Sequence, residues 1–204
     1  MTYPWDDSRR AFADATECFV HTAALVGDRW DRPGLGEWDV RALVGHTSRS
    51  LLTVEAYLAR PAATVEVGSA ADYCRAIRTA AAGPDAAARG RDAGAVLGAD
   101  PAAAVAEIAA RVLPLVEAGD GTEPVTTIAG GMRLADYLPT RTFELTVHTA
   151  DLATALGVPV EVPATAAAQA LRVVADLAAT DGLAGPLLLA ATGRVGLPAG
   201  FSVL

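Results

Sequence analysis

The sequence has few cysteines, no long apolar run and no cluster of basic residues, and each of these shortages excludes a class of protein. Cys18 and Cys74 stand far apart and form neither a Cys-x-x-Cys pair nor a disulfide framework, which is typical of a reducing compartment. No apolar run approaches the roughly 20 residues that cross a bilayer. The N-terminus MTYPWDDSRR also lacks a basic region followed by an apolar one. We therefore expect a cytoplasmic protein with two structural thiols and no membrane association.

Positive charge is too sparse for a nucleic-acid-binding surface. The 16 basic residues are outnumbered by 24 acidic ones, which gives a net charge of −8 and a pI near 4.8. Such a chain repels phosphate backbones, and its basic residues form no block or stripe that could act as a local binding surface. Apolar residues make up 52% of the 204 positions, which is enough for a sizeable core. The composition therefore indicates a folded protein that does not bind nucleic acid.

Helical periodicity runs through most of the chain. Apolar spacing and terminal signals predict helices over residues 7–27, 40–60, 69–82, 101–118 and 134–156, followed by another after Pro163. This pattern predicts a mostly all-α fold of bundle type. We assign residues 1–157 to the bundle and residues 158–204 to a short C-terminal helical extension packed on it.

The segments between these helices have weaker signals. Residues 29–38 are rich in turn formers and aromatics and predict a loop, after which Asp39 stands where an N-cap belongs. The glycine-rich residues 83–98 show no clear pattern, and β-branched residues around Gly130 predict a short hairpin within residues 123–134. Pro139 is expected to break or kink its helix, and residues 183–191 are interpreted as a final apolar turn.

The helix that ends near Leu156 has an unusual arrangement of charge. At about 100° per residue, Glu144, His148 and Asp151 fall within roughly 40° of one another, with Arg141 close by. Apolar residues flank this stripe on both sides: Leu145, Leu152 and Leu156 on one, and Phe143, Val147 and Ala150 on the other. The stripe is therefore expected to point inward, where charge is costly unless it is paired or bound to a metal.

Glu144 and His148 are one turn apart and can bind the same cation. A carboxylate and an imidazole are suitable ligands for zinc or a similar divalent metal. The chain has only three histidines, so a third ligand from another helix is His46 or, ranked second, His21. An ordinary i, i+4 pair and a core histidine are the alternatives to a metal site. Asp151 is interpreted as a structural acid near the site rather than a ligand, with Arg141 as its ion-pair partner. Trp30 and Trp38 are interpreted as loop anchors, with pocket lining as the alternative.

Two stretches together resemble the mycothiol-dependent maleylpyruvate isomerase family of the DinB-like superfamily. Residues 29–58, RWDRPGLGEWDVRALVGHTSRSLLTVEAYL, are similar to its pattern of Trp, Pro, a glycine-rich turn, a second Trp and a helix carrying His. Residues 141–157, RTFELTVHTADLATALG, are similar to its Arg, Glu, His and Asp-Leu pattern. The resemblance spans about residues 10–157 and implies a DinB-like four-helix bundle with a metal-binding N-terminal domain.

Carried over residue by residue, the resemblance implies that His46, Glu144 and His148 hold a divalent metal, usually zinc. It also implies mycothiol as cosubstrate, in keeping with an actinobacterial source. Isomerases of this family carry an additional C-terminal domain, whereas about 47 residues follow Gly157 here, so maleylpyruvate itself is not the substrate we expect.

The leading interpretation is a zinc-dependent mycothiol S-transferase or isomerase-like enzyme that acts on a small electrophile. In it, Arg141 and Asp151 serve catalysis by orienting the metal ligands, and a homodimer is the assembly considered. Two other classes stay open at this point. One is a non-catalytic DinB-like protein that functions in stress or binds small molecules, because fold does not imply function. The other is a metal-dependent hydrolase that activates water instead of a thiol.

Overall fold

The computed structural model describes residues 3–81 and 86–204, and its described part is mostly helical with two small hairpins. The all-α class predicted from the sequence is confirmed. In chain order the elements are α1 (Trp5–Ala24), β1 (Pro33–Leu35), β2 (Trp38–Asp39), α2 (Val40–Leu58), α3 (Ala70–Ala81), α4 (Ala86–Val96), α5 (Pro101–Glu117), β3 (Pro124–Thr127), β4 (Gly130–Arg133), α6 (Leu134–Leu156), α7 (Ala164–Thr180) and α8 (Ala184–Ala191).

Four helices form the central bundle, in agreement with a DinB-like fold. Helices α1 and α2 each pack against both α5 and α6, while α4 covers α2, and α7 lies against α1 and α6. Each large apolar side chain removed from water contributes roughly 1.5–3 kcal/mol, so the shared interior dominates the stability of this arrangement. Its largest fully buried side chains include Phe12, Phe19, Leu43, Leu51, Leu145 and Leu152.

The ends of α2 and α6 are fixed by local signals that the sequence shows. Asp39 caps α2, since its side chain accepts a hydrogen bond of 2.7 Å from the Ala42 amide. Gly157 ends α6 in the left-handed conformation at φ 67°, which favours glycine. Pro139 lies inside α6 without ending it, so the expected early break does not occur. Buried neighbours on both sides, Leu138 and Thr140, hold this part of the helix in the core.

The glycine-rich stretch contains a helix that the sequence did not reveal. Residues 83–98 looked indistinct, yet Ala86–Val96 forms α4, while residues 83–85 lie outside the described part. A Cβ atom at Gly45 would lie 2.2 Å from the Gly94 backbone nitrogen, and one at Gly94 would lie 2.7 Å from the Arg41 carbonyl oxygen. Glycine is therefore present because α2 and α4 cross in close contact, although it also lowers helix propensity.

Two short hairpins and a C-terminal helix lie outside the bundle. Strands β3 and β4 pair antiparallel, with Val125 opposite Met132, as the pattern around Gly130 predicts. The loop expected before α2 instead holds the short β1–β2 pair, and the apolar segment interpreted as a turn forms helix α8. None of the described helices is both long and apolar enough to cross a membrane.

Candidate metal centre

Three side chains from two neighbouring helices meet in one cluster. His46 comes from α2, two turns after the Asp39 cap, and Glu144 and His148 come from successive turns of α6. The Nε2 atom of His148 lies 3.3 Å from Glu144 Oε2, and the Nε2 atom of His46 lies 3.9 Å from the same oxygen. All three donor atoms lie within 4.8 Å of one another. The structure therefore brings together the three residues that the sequence predicted as ligands.

These distances suit a divalent cation. Ligand bonds of 2.0–2.2 Å in a tetrahedral site place donor atoms about 3.3–3.6 Å apart, close to the 3.3 and 3.9 Å separations around Glu144 Oε2. Two imidazoles and one carboxylate form a donor set that catalytic zinc sites use, with one coordination position left for a small molecule. Within residues 3–81 and 86–204 no second group of three or more His, Cys, Asp and Glu donors has this spacing.

The electrostatics of the cluster favour a cation between the three side chains. Burial would raise the pKa of Glu144, but its interactions with His148 and His46, together with the charge of Arg141, hold it well below the usual value. Glu144 is thus an anion at neutral pH. Burial lowers the pKa of His46, which keeps this imidazole neutral and able to donate its lone pair.

His148 is the one ligand candidate that holds a proton tightly. Desolvation lowers its pKa, but hydrogen bonds with Asp151 and Glu144 outweigh that effect and raise the pKa to about 9. The proton and a metal ion would therefore compete for Nε2 of His148, as at metal sites generally.

Asp151 contacts the His148 ring on the side away from Glu144. Its Oδ2 atom is 3.0 Å from His148 Nδ1, so it fixes the ring with Nε2 directed to Glu144. A ligating histidine commonly donates its other nitrogen to a carboxylate, which orients the ring. The corresponding Nδ1 atom of His46 is buried and has no hydrogen-bond partner among the described residues.

Arg141 has a different setting from the one predicted. It is 9% exposed, and its guanidinium lies 5.1 Å from the Tyr137 ring centroid and 5.5 Å from that of Tyr73. Its Nε donates to Thr140 Oγ1 at 2.9 Å. Because Asp151 bonds to His148, the structure does not show the Arg141–Asp151 ion pair that was considered. Arg141 acts on the cluster through its charge, which helps to keep Glu144 ionised.

Trp38 was interpreted as a loop anchor or, as the lesser alternative, as pocket lining, and the structure shows both. Its indole nitrogen donates to the Ala87 carbonyl of α4 at 3.1 Å, which is the anchor. Its ring also lies 4.5 Å from the His46 ring and 6.4 Å from the His148 ring, centroid to centroid. Trp38 therefore forms an apolar wall of the cluster, which spacing alone could not have placed there.

The cluster is half-buried, so the charged stripe that was expected to point inward also has access to solvent. Side-chain exposure is 27% for His46, 25% for Glu144 and 17% for His148. Leu145 and Leu152 on one flank are fully buried, and Phe143 on the other is 5% exposed, but Val147 is 37% exposed, so the helix surface is open to solvent at Val147. A small molecule can therefore approach the three donors. His21, the second-ranked histidine, is exposed on α1 and does not belong to the cluster.

Residues 9–153 match the model of the mycothiol maleylpyruvate isomerase N-terminal domain. The chain belongs to this family. The match includes His46, Glu144 and His148, and it ends three residues before α6 does. No curated protein and no solved structure is significantly similar to the chain. As a member of the mycothiol maleylpyruvate isomerase N-terminal domain family, the chain is related to mycothiol chemistry and has a DinB-like fold with a possible metal site.

We expect Asp151→Asn to weaken zinc binding without removing it. The asparagine amide can still contact His148 Nδ1, but it lacks the charge that supports the ring as a ligand. Loss of such an outer hydrogen bond typically costs about 10- to 100-fold in metal affinity. Competition titration with a chromogenic chelator measures this effect. Asp14→Asn on α1 is the control, and equal zinc affinity for Asp151→Asn and wild type would contradict the role given to Asp151.

Proposed function

We propose that this chain is a zinc-dependent enzyme that uses a low-molecular-weight thiol, with mycothiol as the cosubstrate, in S-transfer or isomerisation of a small electrophile. One observation carries the proposal. Two imidazole nitrogens and one carboxylate oxygen converge from α2 and α6 at the spacing of a three-ligand site, and this cluster is open to solvent on one side. Membership in a mycothiol-related family makes a thiol the reactant to test first.

His46, Glu144 and His148 would hold the cation, which lowers the pKa of a thiol placed in its remaining position so that thiolate exists at neutral pH. The surrounding residues prepare this site. Asp151 fixes the orientation of the His148 ring through a hydrogen bond of 3.0 Å with its Nδ1 atom. Trp38 covers one side of His46 and excludes water there.

The reaction itself needs no nucleophile from the chain. In S-transfer, the thiol sulfur bonds to an electrophilic carbon, the leaving group departs with the electron pair of its bond, and the thiol proton passes to solvent. In isomerisation, the sulfur adds to a double bond, the adduct rotates about the resulting single bond, and elimination releases the thiol unchanged.

The chain's own thiols are unsuited to this step, and we expect Cys74 to resist alkylation. Burial raises the pKa of Cys74 to about 11, so thiolate is scarce at pH 7.5, and its side chain is only 7% exposed. Iodoacetamide should modify Cys74 far more slowly in the native protein than in urea, as followed by mass spectrometry of the Cys18→Ser variant. A native rate equal to that of a free thiol would contradict this prediction.

Metal analysis combined with thiol assays tests the proposed function. Purified wild-type protein should contain or take up one equivalent of zinc, and His46→Ala should lose it. With 1-chloro-2,4-dinitrobenzene as electrophile, mycothiol should support zinc-dependent turnover and glutathione much less. Full zinc loading with no thiol-dependent turnover would contradict the proposed thiol chemistry. Wild-type protein that takes up no zinc would contradict the metal site as well.

A further inference from the structure

A cavity of about 590 Å³ lies between α2, α4 and α5 and does not include the metal ligands. Its volume falls within the range of sites that bind small organic molecules, about 300–1,000 Å³. Much of its wall is apolar and includes Leu52, Val96, Leu97 and Ile108. The cavity therefore suits a ligand with an apolar body.

The cavity adjoins the metal centre along both α2 and α4. Arg49, which lines the cavity, follows His46 by three residues, so the two lie about 60° apart around α2. Arg49 also interacts electrostatically with His46. On α4, Gly90 lies directly against the Trp38 ring, where an added Cβ would approach it to 2.5 Å, and Ala93 in the next turn lines the cavity. The cavity and the metal centre thus share α2, and α4 contacts both the cavity and Trp38.

The wall also carries the charged residues Arg89, Asp92, Glu107 and Arg111. Asp92 and Glu107 are exposed to water, whereas Arg49 is half-buried, and Arg89 makes an interaction of its own. Arg111 is already satisfied, because its Nε and a terminal nitrogen donate to the two carboxylate oxygens of Glu55 at 3.0 and 3.1 Å. The Arg49 side chain is half-buried, and its guanidinium makes no hydrogen bond or ion pair with any residue in the described ranges. A partly desolvated guanidinium without an anion is unfavourable, and a carboxylate would satisfy it with paired hydrogen bonds.

We infer that this cavity binds an amphipathic anion, an apolar body carrying one carboxylate or similar group, and that Arg49 is the residue that holds the anionic group. The inference also rests on the proposed function in one respect, because it assigns this anion as the electrophilic substrate. The ligand class follows from the pairing of apolar walls with one half-buried arginine that lies within one turn of His46 on α2.

Binding of octanoate tests the cavity without metal or thiol. Wild-type protein should bind octanoate at least tenfold more tightly than the neutral octanamide, as measured by calorimetry. Arg49→Gln should weaken octanoate binding by about 10- to 100-fold, the effect of losing charged hydrogen bonds, and should leave octanamide binding unchanged. Ala104→Phe, which narrows the cavity from α5, should weaken both. Arg10→Gln, at an exposed arginine on α1, is the control, and circular dichroism checks the fold of each variant.

The inference would be overturned if octanoate did not bind, or if Arg49→Gln and Ala104→Phe left its affinity unchanged. A kinetic comparison then tests the substrate assignment, using 4-chloro-3,5-dinitrobenzoate and the neutral 1-chloro-2,4-dinitrobenzene. In both, the C–S bond forms, the C–Cl bond breaks with loss of chloride, and the thiol proton passes to solvent. Arg49→Gln should raise KM about tenfold or more for the benzoate alone. Equal effects on both electrophiles would overturn the substrate assignment.

The two proposals fail in distinguishable ways. Arg49-dependent octanoate binding without turnover of either electrophile would remove the proposed function and leave the cavity as a binding site. Turnover of both electrophiles without octanoate binding would remove the cavity proposal and leave the thiol chemistry intact.

Discussion

Glu144→Gln lowers zinc affinity more than any other conservative change at the metal centre, and we expect a loss greater than about 100-fold. The carboxylate oxygen is the donor that both histidines face, at 3.3 Å from His148 and 3.9 Å from His46. Glutamine keeps the size of the side chain but removes the negative charge that attracts the cation. This loss should therefore exceed the roughly 10- to 100-fold cost of an outer hydrogen bond such as that of Asp151.

Isothermal titration with zinc at pH 8 measures the Glu144→Gln effect, and thermal unfolding in a chelator shows whether the metal-free fold is retained. Glu17→Gln changes an exposed glutamate on α1 and should bind zinc as wild type does. Thiol-dependent turnover should disappear in Glu144→Gln and persist in Glu17→Gln. If Glu144→Gln bound one equivalent of zinc with wild-type affinity, the carboxylate would not be a ligand, and the His46, Glu144, His148 assignment would be wrong.

The part of this centre that lies on one helix could be predicted from spacing, since helix geometry alone places Glu144, His148 and Asp151 along one stripe. The third ligand, from another helix, could not be predicted from spacing, because spacing does not show which helices pack together. The scarcity of histidine narrowed the choice to His46 and, ranked second, His21, and the family resemblance then also favoured His46. The access of this stripe to solvent could not be predicted, because apolar flanks in a sequence do not show that Val147 is exposed.

The long helices of the fold were predictable for a related reason: each buries a periodic apolar face that can be counted along the chain. Helix α4 was not predictable, because its glycines lower helix propensity and a periodic apolar face is hard to detect between them. Its glycines are explained by the partner helix α2, which is information from tertiary structure. The β1–β2 pair was missed because strands of three and two residues leave little alternation to detect.

Gly45→Ala should destabilise the protein by about 3 kcal/mol or more, although alanine is the better helix former by about 1 kcal/mol. The new Cβ would lie 2.2 Å from the Gly94 nitrogen and 2.5 Å from the Ala93 carbonyl carbon. These are backbone atoms, so no side chain can rotate away and the two helices must separate. For a chain of this size, the melting temperature should fall by roughly 6–12 °C. Separation also moves α4 away from Trp38, so zinc affinity should decrease too.

Gly185→Ala is the matched control, because Gly185 lies in helix α8 and a Cβ there would meet no atom within 4 Å. It should leave the melting temperature unchanged or raise it slightly through helix propensity. Scanning calorimetry of the metal-free proteins separates the two effects, since packing and propensity act with opposite signs at Gly45. If Gly45→Ala melted at or above the wild-type temperature, propensity would outweigh packing. That result would contradict the close contact between α2 and α4 that holds Trp38 against His46.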